Sequence, residues 1–354
     1  MISGHTLGKM IGMQELIDPK DNAPFPTPSA FIERLTLALP DFGSIQWVQA
    51  TGSSNDDLSQ RIKRGSPQAT PWLLGAHTQH SARGRAARPW QNQAGDTLMF
   101  SCAFEPNIPL SQLPGLSPAL GVAACLALRQ LLTPLLGHES CQQLALKWPN
   151  DLQWGSGKLA GILVETAQRP GSRLPCLVVG IGLNLRGAQA LSAQLSRGIA
   201  DISEILASAS IASIASIASL ASIATIAPIA PMAPPGPSGV SAPNASIPGA
   251  APALCPSLIV ATLAHAWQKA LDVYAAAGYA AFQDLFQTVD VLASEPVEVI
   301  DQGRVLQTGI ARGTDSIGRL LVQTDTAVVP VLVGDISVRR QPNAGPAATH
   351  KGAP

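Results

Sequence analysis

The chain has 354 residues, of which 46% are hydrophobic and only 13% are charged, about half the charged share of an average soluble domain. Its 23 basic residues balance its 23 acidic residues, so the overall charge gives no reason to expect binding to nucleic acid or to an anionic membrane. Five cysteines without a Cys-x-x-Cys spacing predict free thiols in a reducing compartment. The first 30 residues lack the blocks of a secretion signal, which predicts a cytoplasmic protein.

The N-terminal half predicts a mixed sheet that begins after a proline-rich start. Residues 1–40 predict a loosely ordered leader with one short helix near residues 31–39. An almost wholly apolar stretch at 119–132 predicts a buried helix. Strands are predicted over 45–49, 72–78, 97–104, 144–148, 159–165 and 176–185. Elements in this mixed order predict an α/β or α+β fold, with a mixed-sheet domain over residues 41–290.

Residues 205–254 interrupt this pattern. From Ile211 to Met232 an aliphatic residue recurs at every third position, a period that fits neither one face of a helix nor an alternating strand. Prolines interrupt the stretch from Pro228 onward. The composition favours a low-complexity surface insertion, with a partner-binding segment or a membrane segment as alternatives. Deletion of residues 208–250 is therefore expected to leave the chemistry of the domain intact.

The C-terminal part predicts two helices and a second, small domain. The helices are expected over residues 258–276 and 280–287. Five short strands separated by polar turns between Pro296 and Arg339 predict an SH3-like β-barrel over residues 291–340. The last residues, 341–354, are rich in proline, glycine and alanine and predict a disordered tail.

The sequence KWPNDLQWGSGKLAGILVE, residues 147–165, carries the densest set of chemical groups. Lys147 and Lys158 bracket a Pro-Asn-Asp turn and lead into an apolar strand. Cations and a carboxamide at a strand end suit the binding of an anionic substrate. A plain strand–turn–strand with surface lysines is the alternative.

Two further loops have the composition of ligand-binding turns. The turn Thr51–Asn55 supplies hydroxyl and amide groups, which would serve equally well to cap a helix. Between Asp57 and Asp96 there is no acidic residue, and this stretch suits either a phosphate-bearing ligand or an exposed, solvated loop. Its basic residues are Arg61, Lys63, Arg64, Arg83, Arg85 and Arg88. His77 and His80 have no cysteine or acidic partner nearby, so no metal site is predicted.

Together these loops resemble those of the biotin–protein ligase family. TGSSN at residues 51–55 resembles the family's Ser-Thr-Asn turn, and ARGRAARPW at 82–90 is similar to its Gly-Arg-Gly-Arg loop. KWPNDL followed by KLAGIL matches the most specific family signature, including the spacing of its two lysines. GIGLN at 180–184 resembles the strand-end Gly-x-Asn motif. The resemblance covers residues 45–200 and 256–339.

The resemblance implies a two-step reaction. Biotin's carboxylate attacks the α-phosphate of ATP, which gives biotinyl-5′-AMP and pyrophosphate, and biotin is then transferred to a lysine of a carrier domain. ATP and biotin are the implied substrates, Mg²⁺ the implied ion, and a biotin carboxyl carrier domain of acetyl-CoA carboxylase or a related carboxylase the implied partner. A monomer or weak homodimer without membrane attachment is expected. Only about 44 residues precede the first strand, so the monofunctional type, without the DNA-binding domain of some members and without sequence-specific DNA binding, is expected.

The resemblance also implies residue roles by position. The implied catalytic residues are Lys158, Arg85 and Asp151. The implied biotin contacts are Ser53, Ser54, Asn55, Gln79, Arg83, Arg85, Lys158 and Gly161. The implied nucleotide contacts are Arg88, Trp90, Asn150, Lys158, Asn184 and Arg312. No protein ligand to a metal is implied.

The Arg loop, residues 82–90, departs from the family pattern. Ala82 and Ala87 stand where the family has glycine, which would allow close backbone approach and positive φ. Ala82 is therefore expected to weaken biotin binding or to slow the ordering of the loop. These alanines and the insertion motivate one alternative function, a non-catalytic biotin-binding or scaffold protein. A lipoate or octanoate ligase of the same superfamily is the other alternative, although it would lack the Arg loop and the KWPND/KLAGIL pair.

Overall fold

The computed structural model describes residues 25–208, 254–301, 303–332 and 337–340. The early part of the predicted leader, nearly all of the predicted insertion and the predicted tail lie outside these residues. The described part contains a seven-stranded sheet and a five-stranded sheet. All five cysteines are free and buried, as their spacing predicts.

The larger sheet is mixed, as predicted. Its strands follow the order β1-β2-β3-β7-β6-β5-β4. The pair β1–β2 is parallel, and the other neighbouring pairs are antiparallel. The seven strands are β1 (Ser44–Thr51), β2 (Trp72–Gln79), β3 (Thr97–Phe104), β4 (Leu144–Lys147), β5 (Asp151–Trp154), β6 (Gly157–Ala167) and β7 (Cys176–Asn184).

Helices cover both faces of this sheet. On one face the long helices α3 and α7 pack in the main core, where the Phe100 and Trp267 rings are 5.6 Å apart. On the other face α2 packs a smaller cluster around Leu58, Ile62 and Trp72. The helices are α1 (Pro28–Ala38), α2 (Ser54–Lys63), α3 (Leu116–Leu136), α4 (His138–Cys141), α5 (Ala188–Leu195), α6 (Ile202–Ala207), α7 (Pro256–Ala277) and α8 (Ala280–Gln287).

The apolar composition of α3 reflects its place in the core. The helical stretch Leu110–Leu136 is long and apolar enough to span a membrane, but 56% of its most apolar window is buried inside the protein. Leu120, Leu128 and Leu132 are at most 1% exposed. A core helix that is hydrophobic on nearly every side is expected when protein surrounds it.

Helix α1 lies close to the short helix expected near residues 31–39. Thr27 caps the helix through its side chain, and Pro28 occupies the first turn, where proline is favoured. Phe31 and Leu35 are fully buried. The Phe31 ring stacks on Trp47 of β1 with 3.7 Å between the centroids. Helix α1 therefore packs against the sheet as part of the main core.

The C-terminal domain contains the five antiparallel strands that the sequence predicts for an SH3-like barrel. They follow the order β11-β10-β9-β8-β12. Val297, Val299, Ala311, Leu320 and Val322 form its buried centre. The strands are β8 (Pro296–Asp301), β9 (Arg304–Thr314), β10 (Leu320–Gln323), β11 (Val328–Val331) and β12 (Ser337–Arg340).

The connection between the two domains lies along strand β4. Leu146 donates its backbone N–H to the Val289 oxygen (2.7 Å) and accepts from the Val291 N–H (3.1 Å). Nearby, Trp148 Nε1 donates to the Gly318 carbonyl oxygen at 3.0 Å. These contacts place the C-terminal domain beside the KWPND turn.

Candidate active site

A cavity of about 650 Å³ lies where the three polar loops meet. Most residues proposed from the sequence line it, namely Ser53, Ser54, Asn55, Gln79, Arg83, Arg85, Arg88, Trp90, Asn150, Asp151, Lys158 and Gly161. The cavity crosses the sheet from β3 to β4. The C-terminal domain contributes Val338 and Arg339 to its wall.

One end of the cavity is a buried network of hydroxyl and amide groups at the start of α2. Ser54 Oγ lies 2.7 Å from Ser101 Oγ and accepts from Gln79 Nε2 at 3.0 Å. Ser53 caps the helix by accepting from the Asp56 N–H at 3.4 Å. The turn therefore both caps a helix and lines a cavity. Ser101 is not among the residues named from the sequence, and the signal that marks it is a single hydroxyl within the apolar residues 98–104.

An ion-pair cluster fixes Arg83 beside this network. The Arg83 guanidinium contacts Asp56 at 2.5 Å and Glu165 at 2.9 Å, and Asn55 Nδ2 also donates to Glu165 at 2.8 Å. Hydrogen bonding to Asp56, opposed by desolvation and helped by Glu165, raises the pKa of Arg83. Two carboxylates already compensate the charge of Arg83. The side chain thus holds the Arg loop to α2 and β6.

The Arg loop folds back on itself. Gly84 N–H donates to the Arg88 oxygen (2.8 Å), and Trp90 N–H donates to the Ala82 oxygen (2.9 Å). Ala86 and Ala87 both have φ of 52°, a left-handed conformation that costs a residue with a Cβ roughly 1–2 kcal/mol. Ala82 is not among the residues with positive φ in the described chain.

The Trp90 ring packs against two glycines of the sheet. Gly161 of β6 and Gly182 of β7 are cross-strand partners. A Cβ at residue 182 would lie 2.5 Å from Trp90 Nε1, and one at residue 161 would lie 3.0 Å from its Cζ3 atom. Lys158 Nζ is 5.1 Å from the centroid of the same ring, within the range of a cation–π contact.

The KWPND turn joins β4 to β5 and forms the opposite wall. Lys147 and Asp151 are cross-strand partners, and Lys158 Nζ contacts Asp151 Oδ1 at 2.7 Å. Asn150 is buried and donates through Nδ2 to the Ile162 oxygen at 2.7 Å. Its Oδ1 accepts from Arg85 at 3.1 Å, which links this wall to the Arg loop.

Family comparisons agree with this geometry. The biotin/lipoate A/B protein ligase family profile matches residues 50–184, and the biotin protein ligase C-terminal domain profile matches residues 295–339. Together the two matches span just over half of the chain. The chain belongs to the biotin protein ligase family. The C-terminal match supports a biotin ligase over the lipoate or octanoate alternative.

Named relatives and solved structures are consistent with this assignment. The bifunctional ligase/repressor BirA of Escherichia coli (strain K12) is 24% identical over 355 residues, which covers 95% of this chain and 92% of that protein. The biotin–[acetyl-CoA-carboxylase] ligase of Mycobacterium tuberculosis is 36% identical over 142 residues, covering 40% and 49% of the two chains. The fold is similar to that of the Aquifex aeolicus biotin protein ligase in complex with biotin and ATP, with 20% identity, a TM-score of 0.59, and coverage of 85% of this chain and 100% of that one.

Two residues proposed for the nucleotide side of the ligase lie elsewhere. Asn184 is buried, and its Nδ2 donates to the Lys158 and Ala200 carbonyl oxygens at 3.2 Å. Arg312 is exposed on β9. Neither belongs to the described lining of the cavity. The C-terminal residues in the described lining of the cavity are Val338 and Arg339 of β12, and neither is among the residues named from the sequence.

His77, considered as a metal ligand, has a structural role in the ligase. Its Nδ1 accepts from Trp47 Nε1 at 3.0 Å, so its Nε2 carries the proton and donates to the Pro26 oxygen at 2.8 Å. Both ring nitrogens are therefore engaged. No group of three or more His, Cys, Asp or Glu side chains suited to a metal occurs in the described residues.

Proposed function

We propose that this cavity carries out both steps of protein biotinylation, with Lys158 as the group that acts on the reacting atoms. The observation that carries the proposal is the position of Lys158. Its ammonium is held by Asp151 at 2.7 Å, and its strand β6 lies between β3, which carries Ser101 of the hydroxyl network, and β4, which carries Lys147. Biotin's carboxylate and the α-phosphate of ATP are both anionic, so their meeting point needs a fixed cation.

The hydroxyl and amide network is the proposed site for the ureido ring of biotin. Ser54, Gln79 and Ser101 are buried and already paired with one another. Each of these groups both donates and accepts hydrogen bonds, which matches a ring that carries one carbonyl and two N–H groups. Gly161 and Ile162 line the cavity between this network and Lys158, where they suit the aliphatic chain.

The nucleotide is proposed to lie between the Arg loop and the KWPND turn. Arg85, Arg88 and Trp90 line one side, and Asn150 lines the other. Arg339 closes this side from the C-terminal domain, and we infer that it takes the role first assigned to Arg312. Asn184 supports the site indirectly, because its amide fixes the backbone carbonyl of Lys158.

In the first step, a carboxylate oxygen of biotin attacks the α-phosphorus and the bond to the β-phosphate oxygen breaks. Lys158 stabilises the charge that develops on the phosphate oxygens. In the second step, the amine of a carrier lysine attacks the acyl carbon and AMP leaves. Asp151, which pairs with Lys158, is proposed to orient that lysine in both steps and to accept a proton from the incoming amine.

Mg²⁺ is proposed to arrive with ATP as part of the substrate. Asp151 is the one carboxylate in the described lining of the cavity, and it is paired with Lys158. One paired carboxylate is too few protein ligands to bind the ion without the substrate. Mg²⁺ commonly binds through substrate phosphates, water and one or two carboxylates, so the phosphates would supply most of its ligands here.

The carrier is proposed to be a biotin carboxyl carrier domain. Relatives from Mycobacterium tuberculosis and Paracoccus denitrificans are named as biotin–[acetyl-CoA-carboxylase] ligases. We infer a cytoplasmic location, where ATP and such carboxylases meet. The absence of sequence-specific DNA binding and the oligomeric state stay predictions, and residues 1–24 lie outside the described chain.

The test is labelling of a purified carrier domain with biotin and ATP, together with biotin-dependent exchange between ATP and pyrophosphate. We expect wild type to show both, and Lys158→Ala to lose at least about 100-fold of the exchange rate, the usual cost of removing one transition-state donor. Lipoate in place of biotin should give no labelling. Biotin binding without exchange by wild type would overturn the proposal in favour of a non-catalytic biotin-binding protein.

A further inference from the structure

Lys147 is a cation in the cavity wall to which no role in the reaction has been assigned so far. It ends β4, lines the cavity and is partly buried. Arg83 has two carboxylate partners and Lys158 has one. By contrast, no carboxylate of the described residues forms an ion pair with Lys147.

The surroundings of Lys147 make an unbalanced charge there costly. Burial lowers its pKa, and the nearby cations Lys158, Arg339 and Arg340 lower it further, while Asp151 opposes them. A half-buried cation among other cations is stabilised when an anion with several charges enters the site. A lysine that served only to cover the turn with its aliphatic stem would keep its ammonium in solvent.

The sheet order places Lys147 at the far end of the cavity from the hydroxyl network. From Ser101 on β3 the order runs through β7, β6 and β5 to β4. Four strand spacings of about 4.8 Å separate the two by roughly 19 Å. Lys158 lies on β6, in the middle of this row. If biotin's ring binds at β3 and its carboxylate reacts beside Lys158, the remaining phosphates extend toward β4.

We propose that Lys147 binds the β- and γ-phosphates of ATP, which leave as pyrophosphate, whereas Lys158 acts at the α-phosphate. The inference rests on the proposed function of the cavity. When the bond between the α-phosphorus and its bridging oxygen breaks, the electron pair stays on the pyrophosphate oxygen. The Lys147 ammonium stabilises that oxygen by hydrogen bonding, and no proton transfer is required.

This role separates the two half-reactions, because pyrophosphate takes part only in the first. In Lys147→Ala we expect the exchange rate to fall about 10- to 100-fold, as for loss of a hydrogen bond to a charged group. The inhibition constant for pyrophosphate should rise by a similar factor. Transfer of biotin from preformed biotinyl-5′-AMP to a carrier domain should stay within about twofold of wild type.

Two further variants serve as controls. Lys147→Arg keeps the charge and should restore most of the exchange activity. Lys63→Ala removes an exposed lysine at the end of α2, outside the described lining of the cavity, and should change neither half-reaction. Circular dichroism melting of each variant verifies that the fold persists.

The pH profile gives a readout that a merely structural lysine would not move. Because the pKa of Lys147 lies below the ordinary lysine value, its charge disappears at a lower pH than that of an exposed lysine. The KM for ATP of wild type should therefore rise at alkaline pH, and in Lys147→Arg this rise should disappear, since arginine stays charged.

Several outcomes would overturn the inference. An equal loss in both half-reactions would assign Lys147 to the fold or to the shared AMP site. No loss in either would leave it as a solvated side chain. Failure of the proposed function would give a different result. Wild type would then show no exchange between ATP and pyrophosphate, while both wild type and Lys147→Ala would still bind biotin.

Discussion

The two walls of the cavity are built in different ways. The strand wall, residues 144–167, holds its chemical groups on β4, β5 and β6, whose backbones pair along the sheet. The Arg loop, residues 82–90, is held by side chains: the Arg83 ion pairs, the Arg85–Asn150 hydrogen bond and the contact of Trp90 with two glycines. Groups on paired strands are fixed more firmly than groups on loops.

This difference in how firmly the two walls are held suggests a different role for each in the reaction. Lys158 and Asp151, which are proposed to act when bonds break, belong to the strand wall. The loop has two alanines in a left-handed conformation and few backbone contacts to the sheet. We therefore expect the strand wall to set the chemical rate, and the Arg loop to set how readily biotin and ATP enter and stay.

The largest effect on the Arg loop is expected when Trp90 can no longer pack against the glycines of the sheet. In Gly182→Ala the new Cβ would lie 2.5 Å from Trp90 Nε1, so the indole and the loop must move. We expect kcat/KM for biotin adenylation to fall about 30-fold, equivalent to about 2 kcal/mol of overpacking. The fold of the sheet should persist, because the strain falls on Trp90 and the Arg loop can shift, and circular dichroism melting checks this.

Gly161→Ala is the matched control for this change. Its Cβ would lie 3.0 Å from the Trp90 ring and 3.2 Å from Lys158 Nζ, the flexible end of a side chain. The loss should therefore be smaller than for Gly182→Ala. Equal losses would show that the position of Trp90 does not control the loop.

A second test releases the Arg loop without touching the sheet. Arg83→Ala leaves Asp56 and Glu165 without their common partner, which costs roughly 1–2 kcal/mol for partly exposed groups. We expect the KM for biotin to rise about 10-fold with little change in kcat. Arg319→Ala, which breaks the ion pair with Asp315 in the C-terminal domain, should leave both constants alone. A fall in kcat alone would contradict the assignment.

A third test concerns the stability of the strand wall, which depends on the protonation of a buried carboxyl group beside it. Asp290 lies beside Leu146 of β4, and its Oδ2 is buried without a partner in the described chain. Burial raises the pKa of Asp290 to about 6, although the Leu292 N–H and Arg340 oppose this shift. Between about pH 4 and pH 6 the folded state therefore binds more protons than the unfolded state, and stability falls as the pH rises through this window.

Asp290→Asn removes that cost and keeps the hydrogen bond from the Leu292 N–H. The variant should be more stable than wild type by about 2 kcal/mol at pH 7, and the gain should disappear below about pH 4. Urea unfolding across this pH range measures the difference. The exposed Asp284 provides the control, since Asp284→Asn should change stability by less than about 0.5 kcal/mol. A constant gain at every pH would mean that the carboxylate does not titrate in this window.

The smallest effect is expected from strain in the loop itself. Ala87→Gly relieves a left-handed alanine at φ 52°, a gain of about 1 kcal/mol that the flexibility of glycine partly offsets. We expect the KM for biotin to fall about threefold and hydrogen exchange in the loop to slow. Ala82→Gly should have a smaller effect, because residue 82 does not need positive φ in this structure. The reverse order would restore Ala82 as the important departure from the family.

The sequence was informative where local pattern and family signature coincide. The strands around KWPND and KLAGIL have apolar residues bounded by turn residues, and the structure confirms them. Helix α2 was missed because its residues SNDDLSQRIK are mostly polar, so only Leu58 and Ile62 mark a buried face. The short strand β5 was missed because four residues of mixed polarity carry little periodicity.

The remaining site residues depend on packing between distant segments. Arg339 reaches the cavity because β12 pairs with β8 on the side of the barrel that faces the KWPND turn, and no local pattern encodes that orientation. Asn184 ends its strand as expected, but its amide pairs with two backbone carbonyls. Residue type and position therefore identified the loop groups of the cavity, while the direction of a side chain required the structure.

The backbone pairing between Leu146 and residues 289–291 has a mechanical consequence. The segment that joins the domains is fastened to the edge of the sheet by two hydrogen bonds, and Trp148 adds a third contact to Gly318. The C-terminal domain could move away from the cavity only if these hydrogen bonds broke first. The junction therefore favours a fixed position of the C-terminal domain beside the cavity over a free hinge.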